Sequence, residues 1–112
     1  MAVYGFGSRA RGKARPRSDV DLAVLLDRRL SLGDELRLRA EVVETLRRDD
    51  VDLVILNQAP PVICYEVVAA GRRLFARDPE AADDFEHRTA MRYFDTEHLR
   101  ETQRRIAREI LS

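Results

Sequence analysis

Ser18-Asp19-Val20-Asp21-Leu22-Ala23-Val24-Leu25-Leu26 is the stretch on which the fold turns. From Val20 to Leu26 every residue but Asp21 is apolar, the pattern of a strand buried on both faces over most of its length. Side chains two apart along a strand share a face, so Asp19 and Asp21 are expected side by side. An ionised carboxylate in such surroundings is costly unless a cation or a hydrogen-bond donor compensates it.

Upstream, Ala2 to Phe6 is short, apolar and punctuated by Gly5 and Gly7, which reads as a strand ending in a tight turn. Ser8 to Lys13 fits one or two helical turns, and Pro16 breaks any continuation. Downstream, Ser31 to about Arg48 reads as an amphipathic helix. Ser31 and Asp34 are its N-terminal cap pair, and Leu32, Leu36, Val43 and Leu46 are expected on its apolar stripe. Val51 to Leu56 is a further apolar strand carrying one acid, Asp52. Pro60 and Pro61 open a helix, Val62 to Ala70, that ends at Gly71. Arg72 to Ala76 is a short edge strand. From Pro79 onward the pattern is helical, with Asp78 as cap and a bend near Asp95.

Strands alternating with helices predict an α/β fold, a small mixed β-sheet flanked by helices with a long C-terminal helical segment. The length of 112 residues suits one domain, divided into a core over 1–77 and a helical segment over 78–112. Twenty Lys plus Arg balance twenty Asp plus Glu, and this zero net charge argues against general coating of nucleic acid. A single cysteine, Cys64, excludes an internal disulfide and suits a reducing compartment. No apolar run approaches the roughly 20 residues that span a bilayer, and the first ten residues lack the features of a secretion signal. A soluble, cytoplasmic protein is expected.

The global balance hides an uneven local distribution. Between Met1 and Ser18 lie five basic residues, Arg9, Arg11, Lys13, Arg15 and Arg17, and no acid; Asp19 and Asp21 follow at once. A basic loop running into paired carboxylates suits phosphates held beside a metal. Oxygen-only ligands favour hard ions such as Mg²⁺ or Mn²⁺. The Gly7-Ser8 turn offers backbone N–H groups and a hydroxyl to phosphate oxygens.

The run Gly7-Ser8-Arg9-Ala10-Arg11-Gly12, followed by Ser18-Asp19-Val20-Asp21-Leu22, resembles the signature of the polymerase β-like nucleotidyltransferase superfamily, and within it the minimal nucleotidyltransferases (MNT) of prokaryotes. The resemblance covers Val3 to about Leu56. It implies that Asp19, Asp21 and Asp52 are the catalytic, metal-binding carboxylates, holding two Mg²⁺ ions, with Asp52 assisting deprotonation of the acceptor. It also implies that Gly7 and Ser8 grip the triphosphate of ATP, joined by Arg9 and Arg11. Short proteins of this kind pair with a HEPN-domain ribonuclease toxin, and the MNT antitoxin silences it by transferring AMP to a tyrosine hydroxyl. No membrane and no template nucleic acid enters this scheme. Members of the family usually carry a helix ahead of the first strand, whereas this chain opens almost inside that strand, which bears on nucleotide binding. An antitoxin that blocks its toxin by occlusion, without chemistry, is the competing expectation. Transfer to a small molecule is a third, disfavoured because such relatives use a further domain to form the acceptor pocket.

Several residues carry simpler readings as well. Asp49 and Asp50 can cap the preceding helix, and Asp52 can pair with an arginine. Arg9 and Arg11 can be solvated helix residues. Cys64, in an apolar helix, reads as a small core residue. His87 and His98 are eleven residues apart, about 16 Å of helical rise, too far to share a metal. Tyr4 reads as core. The widely spaced Phe85, Met91, Phe94, Leu99, Ile106 and Ile110 either pack back on the sheet or present an apolar stripe to a partner.

Overall fold

The computed structural model describes residues 1–6 and 20–111. Four strands, β1 (Ala2–Gly5), β2 (Val20–Leu25), β3 (Val51–Ile55) and β4 (Arg72–Ala76), form one mixed sheet in the order β3-β2-β1-β4. β2 and β3 run parallel, and β1 is antiparallel to both β2 and β4. Helix α1 (Leu32–Leu46) connects the parallel pair, α2 (Pro61–Ala70) leads into β4, and α3 (Pro79–Asp95) and α4 (Glu97–Leu111) follow. The mixed sheet, its flanking helices and the long helical end agree with the sequence reading. The expected turns at Ser8–Lys13 lie outside the described residues. No helix among the described residues is long and apolar enough to cross a membrane.

Strand alternation sorts the core into two layers. On one face Val24, Leu53 and Ile55 are buried, with Leu22, Leu38 and Val42 packed against them under α1. On the other, Ala2, Tyr4 and Ala23 are buried with Cys64 and Val67 of α2 and Ala82 of α3. Tyr4 is 1% exposed, and burial raises its phenol above the ordinary value, with the charge of Glu86 adding to the shift. Arg73 on β4 ties the sheet to α3 through ion pairs with Asp83 and Glu86.

The helix ends follow their sequence signals. Ser31 Oγ accepts from Asp34 N at 3.2 Å, and Asp78 caps α3 by accepting from Ala81 N at 3.2 Å. The apolar stripe of α1 differs from the expectation: Leu32 and Leu36 are 72% and 59% exposed, and Leu38 and Val42 meet the sheet instead. At 3.6 residues per turn Leu38 and Val42 lie on a face rotated by roughly 120° from the line of Leu32 and Leu36, and it is that face that meets the sheet. The break between α3 and α4 falls at Thr96, one residue after the expected cap Asp95. Thr96 Oγ1 donates to Arg92 O at 3.1 Å, and Arg100 N donates to Thr96 O at 3.2 Å.

The widely spaced C-terminal apolar residues divide between core and surface. Phe85 packs against the core, whereas Met91, Phe94, Leu99, Ile106 and Ile110 are exposed. Tyr65 of α2 stacks on Tyr93 of α3 at 3.8 Å, and the Arg100 guanidinium of α4 lies 3.7 Å from the Tyr93 ring.

The loop ends next to β2 and β3 are closed by side-chain amides. Asn57 Oδ1 accepts from Leu26 N and its Nδ2 donates to Leu26 O, both at 2.8 Å, so one amide extends the ladder beyond β2. Gln58 Oε1 accepts from Leu30 N, also at 2.8 Å. At the other end of the sheet Gly71 turns α2 into β4. A Cβ there would lie 2.7 Å from Gly5 O and closer still to Val67 O, both rigid backbone atoms. Gly71→Ala is therefore expected to destabilise the fold by about 1–3 kcal/mol, measured as a lowered urea midpoint with unchanged slope.

Candidate active site

β1 runs out and β2 and β3 begin at one edge of the sheet, and β4 begins there as well. Phe6 N donates to Asp21 O at 3.1 Å, and Val20 N donates to Asp50 O at 3.0 Å, so backbone bonds pin both sides of this edge. Asp21 and Asp52 are register partners in the parallel pair. Alternation puts both side chains on the face shared with Ala23 and Val54, and neighbouring strands lie about 4.8 Å apart. Asp21 is half-buried and Asp52 exposed.

Asp52 makes no ion pair among the described residues; the arginine nearest in sequence, Arg48, bonds Asp50. Asp19 and the phosphate-holding candidates Gly7, Ser8, Arg9 and Arg11 lie outside the described residues. Two of the three expected carboxylates are thus brought together. Among the described residues no set of three metal-ligating side chains converges. The donor chemistry of the pair suits a hard cation: two carboxylates on one face, one of them open to solvent.

A 230 Å³ cavity opens at this edge, lined by Gly5, Phe6, Asp21, Arg72 and Leu74 among others. Arg72 was missed by the sequence reading. Its signal was available in the topology: an edge strand antiparallel to β1 must start where β1 ends, and Arg72 pairs with Gly5. The cavity therefore joins a carboxylate to a guanidinium, the pair of charges needed for a metal and for a phosphate. Cys64 is buried away from this edge, its thiol pushed up by burial, and His87 and His98 are exposed.

Two carboxylates at paired positions, at the end of a mixed sheet of this order, fit the nucleotidyltransferase class. The family model described as polymerase beta, nucleotidyltransferase matches residues 1–80, and the chain belongs to that family. It is similar to the protein adenylyltransferase MntA of Shewanella oneidensis, 37% identical over 73 residues, which are 65% of this chain and 52% of that protein. The match therefore spans about half the length of that curated relative. Among solved structures, a toxin–antitoxin with AMP-PNP superposes with a TM-score of 0.78 at 29% identity, covering 100% of this chain and 86% of that one. The tri-AMPylated Shewanella oneidensis HEPN toxin in complex with MNT antitoxin gives 0.73 at 28% identity, covering 100% and 83%.

Two like charges at paired positions repel, whatever else each one touches. Asp52→Asn is expected to raise stability by about 0.5 kcal/mol in EDTA and to weaken the stabilisation that added Mn²⁺ produces. Thermal melts with and without Mn²⁺ measure both effects.

Proposed function

We propose that this chain is the antitoxin of a HEPN–MNT pair, a Mg²⁺-dependent nucleotidyltransferase that moves AMP from ATP to a tyrosine hydroxyl of a HEPN ribonuclease toxin. The observation that carries this reading is the register pairing of Asp21 with Asp52 at the sheet edge. The likeness to MntA and to toxin–antitoxin structures, one of them with AMP-PNP, supports the nucleotide and the partner.

Asp19, Asp21 and Asp52 are the proposed metal ligands, and two bound Mg²⁺ ions would supply neutralisation of phosphate charge and acidification of the acceptor hydroxyl. The chain's own residues do the rest. Gly7 and Ser8 hold the triphosphate, and Arg9, Arg11 and Arg72 balance its charge. Asp52, the more exposed carboxylate, takes the tyrosine proton. The tyrosine oxygen then bonds to the α-phosphorus, the bond to the bridging oxygen breaks, and pyrophosphate leaves with its electron pair. Residues 1–77 carry the chemistry in this reading. Residues 78–112 present the exposed Leu99, Ile106 and Ile110 toward the toxin.

Intact-mass spectrometry of the partner toxin, after incubation with this protein, Mg²⁺ and each NTP in turn, tests the reading. The expected result is a mass gain of one or more AMP with ATP. The double variant Asp21→Asn with Asp52→Asn is expected to lose about 100-fold or more in transfer rate. Full neutralisation of the toxin by that variant, without a mass gain, would establish occlusion in place of catalysis. Arg72→Ala is expected to raise the KM for ATP several-fold, read from initial rates, with a smaller change in kcat.

A further inference from the structure

A cavity of 410 Å³ lies at the opposite end of the sheet from the paired carboxylates. Leu25 at the end of β2 lines it, four residues and roughly 13 Å along the strand from Asp21. Its floor is apolar, built from Leu56, Cys64 and Phe85. Three arginines, Arg29, Arg88 and Arg92, stand around it, and no Asp or Glu lines it.

That composition is a local departure in a chain whose acids and bases balance overall. Arg88 shares its charge with Asp84 at 3.0 Å. Arg29 and Arg92 are exposed and make no ion pair among the described residues. The charge of Arg92 reaches the cavity floor, where it opposes the upward shift that burial imposes on the Cys64 thiol. Pro61, in the first turn of α2, also lines the space, adding the positive end of a helix dipole that no first-turn acid offsets. Asn57 lies in the wall, but its amide is consumed by Leu26. The polar groups left to meet a ligand are therefore almost all cationic.

We propose that this cavity binds a small organic anion, a phosphate or carboxylate head on an apolar body no larger than a mononucleotide. The apolar floor takes the body, and Arg29 and Arg92 take the head, with forked donors suited to both anions. The volume lies within the range of small-molecule sites, about 300–1,000 Å³. The site is independent of the transfer chemistry proposed above.

Phenyl phosphate and benzoate are the probes, with benzyl alcohol as the uncharged control, titrated into the ¹⁵N-labelled full chain in EDTA. Saturable amide shifts are expected at Leu25, Ala59, Phe85 and Thr89, with benzyl alcohol about tenfold weaker than the anions. Saturation by either anion supports the site, and their ratio names the preferred head group. The double variant Arg29→Glu with Arg92→Glu is expected to weaken anion binding about tenfold or more at unchanged melting temperature. Cys64, the single thiol, gives a second readout: phenyl phosphate slows its alkylation in the parent chain and not in the double variant. Shifts gathered at Gly5, Asp21 and Arg72, equal binding of benzyl alcohol, or undiminished binding by the folded double variant would overturn the proposal.

Discussion

The parallel pairing of β2 with β3 is the constraint on which the rest of the molecule depends. Val20 pairs with Val51, Asp21 with Asp52 and Val24 with Ile55, so a single register serves both core and site. A slip of β3 by one residue against β2 would turn Asp52 toward α1 and lift Leu53 and Ile55 out of their layer. The apolar neighbours hold the carboxylates in place because no other register buries them. The repulsion between two adjacent acids is thus carried by packing some distance along the same strands, a common arrangement where a site needs charges that the fold alone would reject.

Asn57 and Gln58 extend this control beyond the strands. Their amides occupy the backbone groups of Leu26 and Leu30, which would otherwise end in unpaired donors where the chain leaves the sheet. The same two loops wall the arginine-ringed cavity, and the opposite edge carries Asp21, Asp52 and Arg72. Charge is consequently sorted between the two cavities: Asp21 and Arg72 line the one at the start of β2, and arginines without a described acid line the one at its end.

Much of this was legible from residue patterns. Strands with one acid in an apolar run, a Ser31–Asp34 cap, paired prolines before a helix and a glycine after it are short-range signals, and each was met in the structure. The association of Asp21 with Asp52 was readable because strand periodicity and a shared family motif both point to it. What escaped depends on contacts distant in sequence. Arg72 reaches the site only because β4 pairs with β1 across some seventy residues, and a composition scan has no access to that pairing. The stripe of α1 differs because helical spacing admits more than one apolar line, and only packing against β2 and β3 selects that of Leu38 and Val42. The bend at Thr96 depends on a side-chain hydroxyl finding Arg92 O, which no capping rule ranks above Asp95.

The β1–β4 pairing also has a temporal meaning. β2, α1 and β3 are contiguous in the chain, so their contacts close short loops, whereas Ala2 meets Ala76 only after the intervening chain has been made. During synthesis the first strand leaves the ribosome long before one of its two neighbours exists. Tyr4 waits for α2 and α3 to cover it. The half-built sheet therefore shows an open strand edge and an uncovered aromatic ring, both prone to aggregation, until β4 and the helices that cover Tyr4 have been made.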